Sequence, residues 1–590
     1  MSSAPTHTAD RAPTDQVENI KDTIESLVIA FILAFVFRGF LVEAFVIPTG
    51  SMAPTLFGKH GTELCTECGW EYAYGLPDRH RERDKIKCPN CDWETASHEL
   101  LPYHVSRSRC NKGKQWFNRN LKPKNPEVAE LISHLSFQPK SGDRILVFKW
   151  PFDLGGPLLE AQRWDVVVFK NPLNGEDNYI KRLVGLPNEV LEIIDGDVYT
   201  CRVDELDAET RDLLDELVEA KYQVFQEGNG GSSDRLRDVQ KKLTIALNSK
   251  YRIQRKTSIA QEAMWSVVFH QDYLPREAQR KRLPPRWEAT GLPAGGSRWN
   301  TSQPRIRFDG LGGDRQTIEF RGKSIVDFYA YNYGSRMGEP SEPVGDLRLK
   351  LVLDYAEGAG VLGLRLAKSD DVFAVEFDPN GEVVLERQGE RVPHAQRLRK
   401  IAHMLPWKVG EPIEIEFGIV DYRVYVKING ATESLIETTD EDYAPQIEQL
   451  RRRNHRQRHP PRAQIYADDL NLTLAHVVLE RDVHYKNGTP GSNKGHLPWG
   501  TTGSPIYLRD GEHFMLGDNS PASQDSRLWV KPGDYLRERG RDYQIGTVPA
   551  DQLIGKAFFV YWPSGRRIHW LPLLKDYGMI PSVGKMRWIR

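Results

Sequence analysis

An unbroken run of eleven apolar residues, Leu27–Phe37 (LVIAFILAFVF), constrains this chain more than any other feature of its sequence. It lies within a seventeen-residue apolar segment, Ile24 to Phe40, that follows a polar tail rich in Ser, Thr, Ala, Pro and Asp. A helix rises 1.5 Å per residue and needs about 20 residues to cross a hydrocarbon core, so this segment spans only if Glu25 and Arg38 sit at its two margins. The expectation is one transmembrane anchor over 24–41, after a disordered tail over 1–23. A cleaved signal peptide fits less well, because no Ala-x-Ala-like site follows and Phe40–Ile47 continues apolar. Everything downstream is then held on one side of a membrane, with lipid as a partner.

The remainder is too long for one hydrophobic core, at 590 residues overall, and three to five folding units are expected. With 80 basic residues against 81 acidic, 27% charged and 39% hydrophobic, the chain is neither wholly disordered nor polytopic. Four of the six cysteines form two Cys-x-x-Cys pairs, Cys65/Cys68 and Cys88/Cys91, with nineteen residues between them. Four thiolates on two tight turns suit a structural Zn²⁺, as in a zinc ribbon, and leave no open coordination position for catalysis. Two disulfides are the competing reading in an oxidising compartment. Cys110 and Cys201 are unassigned. The basic residues between the knuckles (Arg79, His80, Arg81, Arg83, Lys85, Lys87) would suit nucleic acid, but a chain held outside the membrane rarely meets any, so no nucleic acid is expected and they read as a solvated face or a contact with anionic headgroups.

Three separated segments carry candidate chemistry. Ile47–Leu56 (IPTGSMAPTL) places Ser51 on a turn rigidified by Pro48 and Pro54. Lys181 sits in Tyr179–Glu189, after the β-branched strand at 163–170 and among Ile180, Leu183 and Val184. Met515–Arg527 (MLGDNSPASQDSR) is a loop dense in hydroxyls and carboxylates. Singly each is a weak signal. Together, and in this order, they resemble the type I signal peptidases, membrane-bound serine endopeptidases that remove N-terminal signal peptides from exported preproteins.

The resemblance covers the anchor, the serine turn, strands at 141–149 and 163–170, the lysine segment, the Gly517–Arg527 loop and the stretch near Gly555–Trp562. It implies a Ser-Lys dyad with Ser51 as nucleophile and Lys181 as general base. It further implies an oxyanion hole from the Ser51 N–H and the Thr49 hydroxyl, Ser523 bonded to the lysine amine, and structural support from Asp518, Asp525 and Arg527. Phe45, Ile47 and Ile180 are the implied walls of shallow substrate pockets for small residues, and catalysis needs no cofactor. The implied location is the cytoplasmic (inner) membrane, single-pass, with the catalytic body on the outer, periplasmic face.

The expected fold is mainly β: a signal-peptidase-type core at 42–57, 141–203 and 476–590, interrupted by a zinc-ribbon-like insertion at 58–140 and a second insertion. The latter holds a helical part at 204–286, with helices at Ala208–Phe225 and Asp234–Leu247, and a concanavalin-like β-sandwich at 287–475. Nine strands are expected there, among them Ser324–Tyr331 and Ala463–Leu474, with Arg451–Arg462 as an exposed loop and core strands resuming at Val477–Val483. On this reading the whole of 204–475 is a separable module, and a carbohydrate or protein is what its sandwich would hold. The competing functions are an inactive membrane-tethered binding protein using that sandwich, and a self-cleaving repressor-type Ser-Lys protease, which the apolar N-terminal segment opposes.

Overall fold

The computed structural model describes residues 13–36, 39, 41–75, 85–96, 142–149, 161–225, 233–276, 285–291, 296–332, 342–388, 398–452, 460–486, 497–564 and 583–589. Arg79–Arg83, all of 97–141 with Cys110, and the charged stretch 453–459 lie outside them. The chain is mainly β, as expected. A helix, Pro13–Val36, holds the start of the apolar run and exposes Ile24, Leu27, Val28, Ile29, Phe31, Ile32 and Leu33. Among the described residues no helix is long and apolar enough to cross a membrane, so the span expected over 24–41 is not found there. The side chains of 34–38 and 40 lie outside the description.

The candidate catalytic residues ride on an antiparallel sheet whose strands run Val42–Val46, Arg144–Phe148, Leu553–Trp562, Val166–Lys170, Asn178–Gly185, Glu512–Leu516 and Val548–Pro549. Ile180 through Gly185 are all buried, unlike the one-sided alternation of a solvent-facing strand, because packing covers both faces. That burial is what puts Lys181 and Arg182, on opposite faces, out of water. Next to this sheet, Glu189–Ile194 and Asp197–Arg202 form a hairpin with Ile506–Leu508 and Arg252–Ile253 at its flanks.

Two further antiparallel sheets carry the sandwich core. One is ordered Trp299–Asn300, Ile306–Asp309, Leu470–Arg481, Leu347–Gly358, Ile413–Val420, Arg423–Ile428 and Ile436–Glu437, with Ser266–His270 also on Leu470–Arg481. The other runs Trp287–Thr290, Gln316–Phe320, Arg462–Ala467, Leu362–Lys368, Asp371–Phe377, Glu382–Gln388 and Arg399–His403. Leu349, Leu351, Phe417, Leu364, Phe373 and Val375 bury their side chains within one apolar cluster. Two-residue turns set the register; at Asp421-Tyr422 both residues take positive φ (45° and 57°), the twist a tight hairpin needs. The helices lie at Ala208–Phe225 and Ser233–Ala246, close to the expected bounds.

Several expectations need correction. Ser324–Tyr331 is not a strand; it is an irregular segment ending in a 3₁₀ turn, Ala330–Asn332. The expected strand Ala463–Leu474 is two, Arg462–Ala467 and Leu470–Arg481, divided at Asp468-Asp469 and entering different sheets. Val477–Val483 does not resume the catalytic core, since Leu470–Arg481 pairs with Leu347–Gly358 and Ser266–His270 of the sandwich. Arg451, expected in an exposed loop, lies in helix Ile447–Arg452 and forks onto buried Glu192 (Nη2 to Oε2, 2.7 Å).

The insertion is therefore fused to the core, not hung from it. Lys368 of the sandwich donates to Asp197 of the core hairpin (3.2 Å) and to Asp346 (2.6 Å), and Lys256 pairs with Asp421 (2.5 Å) and Asp482 (2.8 Å). Removing 204–475 would strip Asp197 and Glu192 of the cations that pair with them. One apolar cluster also runs from Trp164 and Val190 through the helices into both sandwich sheets.

Candidate active site

The serine turn is tied down at both ends. Asp143 accepts at Oδ2 from Phe57 N–H (3.0 Å) and at Oδ1 from Ser564 N–H (3.0 Å), while its own carbonyl accepts from Ile47 N–H (2.9 Å). Between these ties Ala53 N–H donates to Gly50 C=O (3.1 Å) and Leu56 N–H to Met52 C=O (2.8 Å), closing a compact turn. The Ala53–Pro54 peptide is cis. Gly50 and Gly142 permit close approach: a Cβ on Gly142 would fall 1.7 Å from Ile47 O, and one on Gly50 would fall 1.8 Å from the Tyr331 ring.

Lys181 reaches this turn from strand Asn178–Gly185 of the same sheet and donates from Nζ to Ser51 Oγ (2.7 Å) and to Ile180 C=O (3.1 Å). Ser51 is 8% exposed and Lys181 4%. Burial of the ammonium lowers the Lys181 pKa to about 8, against the pull of Asp525 and Asp518. Those carboxylates would hold the lysine charged if they were bare, but each is covered. Arg182, completely buried, forks onto Asp518 (Nε to Oδ1, 2.8 Å; Nη2 to Oδ2, 2.7 Å), and Thr55 donates to Asp518 Oδ2 (2.6 Å). Arg527 forks onto Asp525 (Nε to Oδ1, 2.8 Å; Nη2 to Oδ2, 2.7 Å). The result is an amine dry enough to be neutral at mildly alkaline pH, within reach of a hydroxyl.

Ser523 borders the pair, against Gly517 and the Ser51 carbonyl. Its buried Oγ has no hydrogen-bond partner among the described residues, so the bond to the lysine amine is not made here. The lysine already donates to Ser51 and Ile180. Thr49 is exposed beside Ser51, its backbone packed on Gly58. Ile47 and Ile180 belong to the apolar cluster with Met52, Leu56, Ile145 and Val166, and Phe45 packs against it.

Sequence reasoning missed four contributors. Arg182 was discoverable, since a second cation in a buried apolar strand must have a partner. Asn519 holds the serine turn from Nδ2 to Gly50 C=O (2.9 Å) and from N–H to Ser51 C=O (3.0 Å). Tyr331 and Asn332 come from the insertion, 280 and more residues away, and no local pattern marks them.

The four ribbon cysteines are brought together. Their sulfurs all lie within 4.8 Å of one another, with Cys65–Cys91 at 3.6 Å and Cys68–Cys88 at 3.7 Å. A tetrahedral Zn²⁺ with 2.3 Å bonds sets its sulfurs about 3.8 Å apart, whereas a disulfide needs about 2.05 Å. Both knuckles turn alike: Gly69 N–H donates to Cys65 C=O (2.8 Å) and Asp92 N–H to Cys88 C=O (3.1 Å), with Gly69 and Asp92 at positive φ. The residues fit a structural zinc ion. Cys201 is buried apart from them, its thiol pushed up to about 12 by burial.

A family model described as signal peptidase, peptidase S26, matches residues 132–246 and 431–562, which include Lys181, Asp518, Ser523, Asp525 and Arg527 but not Ser51. A signal peptidase I of Pseudomonas fluorescens is 39% identical over 75 residues, 12% of this chain and 23% of that protein. The chain thus spans under a quarter of the length of that curated relative. Among solved structures, a carbohydrate-binding module, CBM66, from Bacillus subtilis aligns at 10% identity and a TM-score of 0.20, over 34% of this chain and 97% of that one. The Crh5 transglycosylase in complex with NAG aligns at 12% identity and 0.22, over 33% and 78%.

Proposed function

We propose, from its place in the type I signal peptidase family, that this chain is a serine endopeptidase that cleaves signal peptides from exported preproteins with a Ser51–Lys181 dyad. The observation that carries this reading is the 2.7 Å contact between Ser51 Oγ and a lysine whose charge is disfavoured by burial. Neutral Lys181 takes the Ser51 proton as Oγ bonds to the scissile carbonyl carbon. The resulting tetrahedral oxyanion is met by the Ser51 N–H and the Thr49 hydroxyl. Lys181 then returns the proton to the leaving amine as the C–N bond breaks. Water, deprotonated by the same lysine, cleaves the acyl ester and restores Ser51. Once Ser51 is acylated it no longer accepts from Lys181 as a hydroxyl, and we assign Ser523 as the amine's partner at that stage.

Among the described residues strand Val42–Val46 pairs only with Arg144–Phe148 and stands at the edge of its sheet, so its outer main-chain groups can receive an extended peptide leading to Ser51. Phe45, Ile47 and Ile180 would wall the pockets for small side chains. The exposed apolar residues of Pro13–Val36 support attachment to a bilayer, and on the family resemblance the catalytic body would lie at the outer face of the cytoplasmic membrane beside its tethered substrates. The Cys₄ cluster would hold Zn²⁺ as a staple of the ribbon, with no part in the chemistry. A carbohydrate or protein ligand for the sandwich remains a proposal separate from the dyad.

The test is incubation of the purified full chain, in detergent, with a preprotein, followed by mass determination of the products. A single cut at the signal-peptide junction, after a small residue, supports the reading. An intact preprotein, or cuts scattered through the mature sequence, would refute it.

A further inference from the structure

We infer that Asn332, in the sandwich insertion, is a positioning residue of the catalytic turn, acting through Asn519 to fix the direction of the Ser51 N–H; this rests on the peptidase reading above. The segment that carries it is clamped at the site by several independent contacts. Asp327 pairs with Lys486 (3.1 Å) and accepts at Oδ1 from Glu342 N–H (2.7 Å). Phe328 C=O accepts from Arg481 (2.7 Å), whose guanidinium lies 4.3 Å from the centre of the buried Tyr329 ring. The Tyr331 ring occupies the space a Gly50 side chain would need, and its hydroxyl donates to Lys59 C=O (3.2 Å).

Asn332 then exchanges two hydrogen bonds with Asn519. Its Nδ2 donates to Asn519 Oδ1 (2.6 Å), and its Oδ1 accepts from Asn519 Nδ2 (2.8 Å). The second Asn519 Nδ2 contact goes to Gly50 C=O (2.9 Å). Gly50 C=O and Ser51 N–H share one planar trans peptide, so fixing the oxygen fixes the N–H pointing the opposite way. The Asn519 amide is thereby held at both ends, by Asn332 and by the turn. Ala53 N–H also donates to Gly50 C=O (3.1 Å), but an Asn519 amide with one anchor would let the Gly50–Ser51 peptide plane rock about that bond, and misalignment of an oxyanion donor costs rate while leaving substrate binding intact. The insertion is, on this inference, part of the active site.

The experiment measures preprotein cleavage by the full chain and by Asn332→Ala, Asn519→Ala and the double variant. Removing an oxyanion donor outright costs on the order of 10²–10³ in kcat, so loosening one should cost on the order of tenfold. The expected result is that kcat falls by that amount in Asn332→Ala with KM within about twofold, and that the double variant is no slower than Asn519→Ala alone. Asn332→Asp keeps an acceptor for Asn519 Nδ2 but sets a carboxylate oxygen against Asn519 Oδ1, so its kcat should fall at least as far, and it serves if Asn332→Ala does not fold. A kcat within twofold of the unsubstituted chain in both Asn332 variants, or losses that multiply in the double variant, would overturn the inference. Absence of Ser51-dependent cleavage in the unsubstituted chain is a different result, and it overturns the peptidase reading beneath.

Discussion

Replacing Lys181 with methionine should stabilise the folded chain at neutral pH while abolishing its chemistry. Burial lowers the lysine's pKa from 10.5 to about 8 in the fold, whereas the unfolded chain keeps the higher value. Between those two values the unfolded chain binds more protons, so stability of the unsubstituted chain rises with pH across that window. Below pH 8 the full cost of burying the charge is present, and at about 1.4 kcal/mol per tenfold it amounts to about 3 kcal/mol. Methionine has a similar length and volume and leaves little cavity. It forfeits the hydrogen bonds to Ser51 and Ile180, whose net worth is about 1 kcal/mol or less each. The methionine chain should therefore lead by about 1–2 kcal/mol at pH 7. By pH 10 the lysine's cost has fallen to roughly 1 kcal/mol, and the lead should vanish or reverse. Urea unfolding of both chains, followed by tryptophan fluorescence at pH 7, 8.5 and 10, reads the difference, because titrations common to both cancel. A stability gap that is the same at pH 7 and pH 10, or a lysine chain that is the more stable at pH 7, would refute the reasoning.

Other outcomes follow from the same geometry. The pH profile of kcat/KM for cleavage should rise with an apparent pKa near 8, since the base works only when neutral, and a profile flat from pH 6 to 9 would contradict it. Arg527→Gln uncovers Asp525, whose charge then favours the Lys181 ammonium, so the rise should move to higher pH while the chain loses about 3 kcal/mol or more of stability; an unmoved profile in a folded variant counts against the pairing argument. Metal analysis of the purified chain should find about one zinc per chain, lost in Cys88→Ser; four oxidised cysteines and no zinc would replace the ribbon's ion with disulfides.

Much of the candidate site was legible because its chemistry is local: Ser51 is framed by Pro48, Gly50 and Pro54, Lys181 stands in an apolar strand, and Asp525 and Arg527 are two residues apart. The helices and most sandwich strands were legible from period and turns, as at Ala208–Phe225 and Arg423–Ile428. What could not be read is tertiary. Ser324–Tyr331 has a strand's composition, yet its residues are spent on contacts with Arg481, Gly50 and Lys59 instead of a ladder, so propensity gave way to packing. The division at Asp468-Asp469 depends on Asp469 at positive φ, which an aspartate tolerates without advertising. Arg451 looked like one cation in a solvated run until Glu192, buried in the core hairpin, supplied its partner. The apolar segment after Ser26 predicted a span by length and hydropathy; the described helix exposes its apolar residues on all sides, and among the described residues it is not long and apolar enough to cross a membrane.

The dyad itself is tested most directly by initial rates of preprotein cleavage for the full chain, Ser51→Ala, Lys181→Ala and the double variant, at pH 8.5 and equal protein concentration. A nucleophile and its base act as one unit, so each single substitution should lower the rate by at least about 10³-fold and the double variant should be no slower than either. Cleavage within tenfold of the full chain in either single variant, with the products unchanged, would show that Ser51 and Lys181 are not the catalytic pair.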